Sequence, residues 1–240
     1  MLPILIKIKN LALNIVFPRI CIACRKNIEN SNELICDDCF DLIKINNTLY
    51  CPVCRNRLAE NKRICSHRRK NQPYLYLLAA AGNYDDQILR NLIHYFKYKN
   101  FQELAPVLGK LLLNYIGAAN LNFKNFSVMP IPLYKSREKM RGFNQSKLLA
   151  EFISVNLNLE LASALERIKD AQPQAILKGE ESRVENIKNC FKIRNNTSLK
   201  GKNILLIDDV YTSGATIDEA VKILKENGVR RVIALVIARA

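Results

Sequence analysis

The pattern of apolar and polar positions after residue 73 alternates between two kinds of element. Residues 74–84 form an apolar run with little helical period, which predicts a strand or a hairpin arm at the edge of a sheet. From 85 to 99 apolar side chains recur at helical spacing, which predicts a helix with Asp85 as its N-terminal cap. A second helix is predicted from about 102 to 115.

The same alternation continues to the end of the chain. A short strand is predicted within 126–133, and a helix follows at 144–156 with Asn144 as its cap. The last predicted elements are a strand at 204–207, a helix ending near Asn227 and a strand at 231–238. Strands that alternate with helices are typical of an α/β fold, and the apolar run 204–207 suits a parallel strand that is buried on both faces.

The most informative stretch follows the apolar run 204–207. Two adjacent carboxylates, Asp208 and Asp209, stand where the run ends, and ligands of open α/β sheets bind outside the carboxyl ends of strands. Five small residues come next: Thr212, Ser213, Gly214, Ala215 and Thr216. Their backbone N–H groups and hydroxyls, at the start of a helix, predict a phosphate site.

Two other interpretations of this stretch exist. A buried strand followed by an ordinary polar turn would place no ligand here. A Walker-B strand would need a Gly-x-x-x-x-Gly-Lys-Ser/Thr loop elsewhere, which the chain lacks, so a P-loop nucleotide-triphosphatase is excluded.

The stretch resembles the phosphoribosyl pyrophosphate (PRPP) motif of type I phosphoribosyltransferases. The resemblance implies that Asp208 and Asp209 hold the ribose hydroxyls and the Mg²⁺ shell, and that 212–216 hold the 5′-phosphate. It also places the pyrophosphate beside the loop that follows the strand at 126–133, where the cations Lys135, Arg137 and Arg141 stand. A solvated basic loop is the alternative there.

A long polar connection runs from 165 to 191. Long connections inside a compact domain are usually functional or mobile. We predict a flap that closes over the site, carrying Gln174, Arg183 and Lys188, with Arg183 as a catalytic group.

Seven of the eight cysteines lie before residue 66. They form three Cys-x-x-Cys pairs and a Cys-x-His, which predict structural Zn²⁺ sites. The predicted ligands are Cys21, Cys24, Cys36, Cys39, Cys51, Cys54, Cys65 and His67. Pairing neighbours gives a four-cysteine site and a site of three cysteines with His67, although a crossed pairing or a solvated His67 is also open. Cys190 is expected to be an ordinary buried side chain.

The chain carries 37 lysines and arginines against 22 acids, a formal charge of +15. This favours anionic partners such as phosphorylated metabolites or nucleic acid. Residues 1–18 predict an amphipathic segment that packs on the body or touches a membrane surface, but is too short and charged to span a bilayer. We therefore expect no stable membrane insertion and a cytoplasmic protein.

The whole chain resembles the ComF-type competence proteins (the ComF/GntX family), which join a zinc ribbon to a type I phosphoribosyltransferase domain. The resemblance is carried by the Cys-x-x-Cys pairs between Cys21 and Cys54 and by the segments 96–99, 130–133, 141–145, 172–174, 183–191 and 208–216. The resemblance implies a type I phosphoribosyltransferase fold, a twisted, mostly parallel sheet flanked by helices. Together with the polar stretch at 66–73, it predicts an amphipathic segment at 1–18, a double zinc ribbon at 19–72 and a transferase-like domain at 73–240.

The resemblance also implies a role in natural transformation, on or near single-stranded DNA, with competence proteins such as a DNA helicase as partners. One hypothesis is an enzyme that transfers ribose 5-phosphate from PRPP to an acceptor that no residue identifies. The rival is a non-catalytic protein that senses PRPP or binds single-stranded DNA through its ribbons and basic face. The features that suggest it are the +15 charge, the basic run 68–70, and the aromatic and basic residues of 95–99.

Overall fold

The structure is a computed structural model that describes residues 20–28, 33–59, 65, 75–170, 185–194 and 198–240. Its helices are α1 (Asp37–Asp41), α2 (Gln87–Tyr98), α3 (Leu104–Ala118), α4 (Lys135–Arg141), α5 (Gln145–Leu157) and α6 (Ala215–Glu226). Its strands are β1 (Leu49–Tyr50), β2 (Leu77–Asn83), β3 (Phe126–Pro130), β4 (Leu165–Arg167), β5 (Phe191–Ile193), β6 (Asn203–Tyr211) and β7 (Arg231–Arg239).

A five-stranded sheet in the order β1-β2-β7-β6-β3 forms the centre of the molecule. β2, β7, β6 and β3 are parallel, and β1 is antiparallel to β2. The mostly parallel α/β sheet predicted from the sequence is confirmed. β6 and β7 are apolar along most of their length because both of their faces are covered.

Helices cover the two faces of the sheet. On one face, Leu205 and Leu235 pack in a core with side chains from α2, α3 and α5. On the other, Leu206 and Val236 pack with α6 and with the separate antiparallel pair β4–β5. Successive residues of β6 alternate between these cores because strand side chains point to opposite faces.

Several local predictions are corrected. β2 does not lie at the sheet edge, because β1, from the cysteine-rich region, pairs along its outer side. Asp86, not Asp85, caps α2 by accepting a hydrogen bond from the Leu89 N–H at 3.0 Å. The basic loop after β3 is a short helix, α4, and the polar connection after residue 165 begins and ends in strands β4 and β5.

Other predictions agree with the structure or fall outside it. Asn144 caps α5 and accepts from the N–H groups of Ser146 and Lys147. Among the described residues no helix has the length and apolarity needed to cross a membrane. The predicted segment 1–18 lies outside the described residues, and so does the predicted boundary near residue 72.

Candidate active site and cysteine clusters

Asp208 and Asp209 lie near the carboxyl end of β6, as the sequence predicts. The Oδ1 atom of Asp208 accepts hydrogen bonds from the Ser146 hydroxyl and from the Asp209 N–H, both at 2.9 Å. Asp209 forms an ion pair with Lys97, whose Nζ is 2.7 Å from its Oδ1. The N-terminus of α5 and the C-terminus of α2 therefore meet at the two carboxylates.

Burial and neighbouring charges shift the pKa values of Asp208 and Lys97. Burial raises the pKa of Asp208, and the neighbouring Asp209 raises it further, to about 7, although Lys97 acts in the opposite direction. Burial disfavours the charged form of Lys97, but its carboxylate partner Asp209 more than offsets this and raises the pKa of the ammonium. Asp209 thus stabilises the charged form of Lys97, whereas its charge disfavours the charged form of Asp208.

A lysine in the last turn of a helix, such as Lys97, commonly complements the negative end of the helix dipole. It lies in the last turn of α2, but its side chain pairs with Asp209 instead. The sequence offered no signal for this, because α2 and β6 are more than a hundred residues apart.

The 212–216 turn joins β6 to α6. Gly214 has φ +88°, and Ala215 begins the helix. A Cβ atom at Gly214 would stand 2.4 Å from the Tyr211 hydroxyl oxygen, so both the backbone conformation and the space require glycine. Together with Asp208, the turn residues line a small hollow outside the sheet.

The three predicted cations on α4, Lys135, Arg137 and Arg141, lie in different surroundings. Arg137 donates from Nε to Asp170 at 3.1 Å, and Ser136 donates to the same carboxylate at 2.6 Å. Arg141 donates to the side chain of Gln145 at 3.2 Å, and its guanidinium lies 5.5 Å from the Tyr98 ring centroid. Lys135, the first residue of α4, is exposed.

The structure adds a buried cation that the sequence analysis missed. Arg167 ends β4 and is only 8% exposed, with its guanidinium 5.6 Å from the Phe191 ring centroid. Its Nε is enclosed and has no hydrogen-bond partner among the described residues. Burial lowers the pKa of Arg167, and the neighbouring charge of Arg137 also lowers it. Cys190 and Asp208 act in the opposite direction and raise it.

The predicted flap is only partly described. Gln174 and Arg183 lie outside the described residues, and Lys188 is exposed, 3.4 Å from Glu185. Cys190 is buried as expected, and burial raises the pKa of its thiol.

The cysteines of the N-terminal region form two clusters. Cys21, Cys24, Cys36 and Cys39 bring their sulfurs within 4.8 Å of one another, and so do Cys51, Cys54 and Cys65. Neighbouring pairs therefore combine, and the crossed pairing is wrong. His67, the predicted fourth ligand of the second cluster, lies outside the described residues. Four sulfurs at this spacing suit tetrahedral Zn²⁺, so the residues fit structural zinc.

Two family models match the chain. Residues 12–69 match the double zinc ribbon domain, and residues 146–240 match the phosphoribosyl transferase domain. The latter range includes the paired carboxylates and the 212–216 turn.

Curated relatives match along nearly the whole chain. Competence protein F of Haemophilus influenzae is 29% identical over 225 residues, which cover 92% of this chain and 96% of the relative. DNA utilization protein YhgH of Escherichia coli is 29% identical, with coverage of 88% and 92%. Competence protein ComFC of Bacillus subtilis is 28% identical, with coverage of 88% and 79%. Over nearly its whole length this chain is therefore similar to ComF-type competence proteins, and its two matched ranges are those of a double zinc ribbon and a phosphoribosyl transferase domain.

Proposed function

We propose that the protein binds PRPP with Mg²⁺ and acts in DNA uptake. The observation that carries the ligand assignment is the continuity of β6, the paired carboxylates and the 212–216 turn, with Lys97 placed against Asp209. The DNA-uptake role is supported by relatives whose names are competence protein and DNA utilization protein.

Each part of the ligand has a matching group. Asp208 and Asp209 would accept hydrogen bonds from the ribose hydroxyls and from water of the Mg²⁺ shell. Backbone N–H groups of the 212–216 turn and the first turn of α6 would hold the 5′-phosphate. Lys135, Arg137 and Arg141 would hold the pyrophosphate, and Arg183 would act from the flap.

Transfer of the ribose 5-phosphate group to an acceptor would need no protein nucleophile. Positive charge develops at C1 while pyrophosphate leaves with the bonding electrons, so positioning and charge stabilisation supply most of the catalysis. Mg²⁺, when bound with PRPP, would neutralise charge on the departing pyrophosphate. The protein's own part is to orient the ribose against the carboxylates and to offer cations where negative charge accumulates.

Arg167 extends the proposed set of pyrophosphate ligands. A buried guanidinium whose Nε has no hydrogen-bond partner among the described residues is costly, and an anionic ligand near Arg137 would supply the missing acceptor. Arg167 lies at the start of the predicted flap, and the charges of Arg137 and Asp208 both act on it, which supports a place beside the proposed ligand.

The Arg167→Gln variant tests this assignment and the binding of PRPP together. We expect it to weaken PRPP binding at least tenfold in calorimetric titration with Mg²⁺, because one charge-assisted contact is lost. Binding of ribose 5-phosphate, which lacks the pyrophosphate, should stay unchanged.

The control for this experiment is Arg194→Gln, an exposed arginine immediately after the partner strand β5. It should leave both affinities unchanged. Equal weakening of PRPP and ribose 5-phosphate by Arg167→Gln would contradict the pyrophosphate assignment, and failure of the unmodified protein to bind PRPP would contradict the proposed function.

Single-stranded DNA is a second candidate ligand. Tyr98 is 55% exposed, with the Arg141 guanidinium 5.5 Å and the His94 ring 5.2 Å from its ring centroid. An exposed aromatic ring beside an arginine, in a chain of formal charge +15, is the arrangement on which bases stack.

Filter binding to a single-stranded oligonucleotide tests this candidate. We expect affinity to fall steeply as salt rises from 50 to 200 mM, because released counterions drive phosphate contacts. Tyr98→Ala should weaken binding roughly fivefold or more at every salt concentration, since stacking on one ring is lost. A salt-independent affinity would contradict the DNA role.

A further inference from the structure

The second cysteine cluster touches the 212–216 turn. Arg55, the residue after Cys54, donates from Nη2 to the Ser213 carbonyl oxygen at 3.3 Å. The carbonyl of Arg55 in turn accepts a hydrogen bond from Nη1 of Arg239 at 3.0 Å. A residue of the zinc-binding region is thereby tied both to the turn and to the end of β7.

A second contact holds the residue that immediately precedes the same turn. Tyr211, the last residue of β6, donates from its hydroxyl to the carbonyl of Pro52 at 3.4 Å. The Tyr76 hydroxyl lies 3.5 Å from that of Tyr211 and donates to Asp218 on α6 at 2.7 Å. The segment 51–55 therefore contacts two residues that lead into Gly214: Ser213 through Arg55, and Tyr211 through Pro52.

The segment 51–55 is itself held against the sheet. It follows directly from β1, which pairs with β2, and the Arg239 guanidinium lies 4.2 Å from the centroid of the Tyr50 ring. Cys51 and Val53 are buried in a small apolar cluster to which Leu77 of β2 adds a side chain. A support that is anchored in this way can hold the turn in one position.

The first cluster contains the equivalent arginine in a different environment. Arg25 and Arg55 each follow a Cys-x-x-Cys pair, donate their N–H to the carbonyl of its first cysteine, and have φ of +66° and +60°. Arg25, however, reaches the hydroxyl of Tyr95 on α2, at 3.4 Å. The two Cys-x-x-Cys turns share a backbone shape, but of their two arginines Arg55 is the one that contacts the 212–216 turn.

We propose that Arg55 is a positioning residue for the 212–216 turn, through which the second cysteine cluster holds the phosphate-binding backbone in place. This inference rests on the proposed function for the identity of the ligand, but not for the contact itself. A preorganised turn spends no binding energy on ordering its amides, so a loosened turn binds phosphate more weakly.

The test compares the zinc-loaded unmodified protein with Arg55→Ala, Arg55→Lys and Arg25→Ala, each checked for zinc content. Amide hydrogen exchange without ligand is measured for peptides that span 212–216, and affinity is measured with ribose 5-phosphate. In Arg55→Ala we expect exchange in these peptides to be at least fivefold faster and affinity roughly five- to tenfold weaker. Arg55→Lys, which keeps a donor, should recover most of both.

Arg25→Ala is the matched control, and it should leave exchange at 212–216 and ribose 5-phosphate affinity unchanged. Exchange in Arg55→Ala at the rate of the unmodified protein would overturn the inference, and so would equal acceleration in Arg25→Ala. If the unmodified protein does not bind ribose 5-phosphate, the proposed function fails, whereas the exchange measurement still decides the role of Arg55.

Discussion

Replacing Asp208 and Asp209 together by asparagine is expected to abolish PRPP binding, with a loss of affinity of at least 100-fold. Asp208 and Asp209, near the end of β6, are the carboxylates that we assign to the ribose and the Mg²⁺ shell. Asparagine keeps the shape and one acceptor oxygen at each position, but it removes the charge that attracts Mg²⁺. Titration calorimetry with PRPP and Mg²⁺ measures the loss.

Two comparisons make this result specific. Asp85→Asn removes an exposed carboxylate just before α2 and should leave PRPP affinity unchanged. Circular dichroism of the double variant should show the helix and strand content of the unmodified protein, because the Ser146 hydroxyl can still donate to an amide oxygen at position 208. Unaltered PRPP affinity in the double variant would remove the carboxylates from the site.

The sequence predicted those parts of the fold that depend on local pattern. β6 and β7 are long apolar runs, and α5 has a strong cap at Asn144, so their positions agree with the prediction within a few residues. β1 has only two residues and β4 and β5 have three each. Strands this short carry no readable alternation, and they form because partners distant in sequence offer them hydrogen bonds.

In the candidate site, too, the parts that depend on local sequence were predicted and the parts that depend on tertiary packing were not. The acids and the 212–216 turn are adjacent in sequence, so a single motif predicted them. Lys97, Arg167 and Arg55 come from three other parts of the chain, and each acquires its place only through tertiary packing. A lysine in the last turn of α2 is equally consistent with a helix-capping charge, so its pairing with Asp209 could not be read from the sequence.

Single substitutions at the two acids should change stability in opposite directions. Asp209→Asn leaves Lys97 without its carboxylate partner, so we expect a lower free energy of unfolding. Asp208→Asn removes a poorly solvated charge and keeps an acceptor for the Ser146 hydroxyl and the Asp209 N–H, so we expect a higher one. The gain should depend on pH.

The direction of this dependence follows from the pKa of Asp208, which is about 7 in the folded protein against an ordinary value of 3.8. Between these pH values the folded protein retains a proton that the unfolded chain has released, so raising the pH lowers the free energy of unfolding of the unmodified protein. Above pH 7 both states are deprotonated and the effect is constant. Asp208→Asn lacks this titration, so its advantage should grow from pH 4 to pH 7 and then level off.

Thermal unfolding without PRPP or Mg²⁺, from pH 5 to pH 8, measures this difference. Between pH 5 and pH 7 the advantage of Asp208→Asn should rise by about 2 kcal/mol, a relative gain in Tm of roughly 4–8 °C. A difference in Tm that stays constant across this range would show that Asp208 titrates at its ordinary pKa. The expected result would mean that the protein sacrifices stability at neutral pH to keep a charged carboxylate where a ribose hydroxyl and a Mg²⁺ shell would bind.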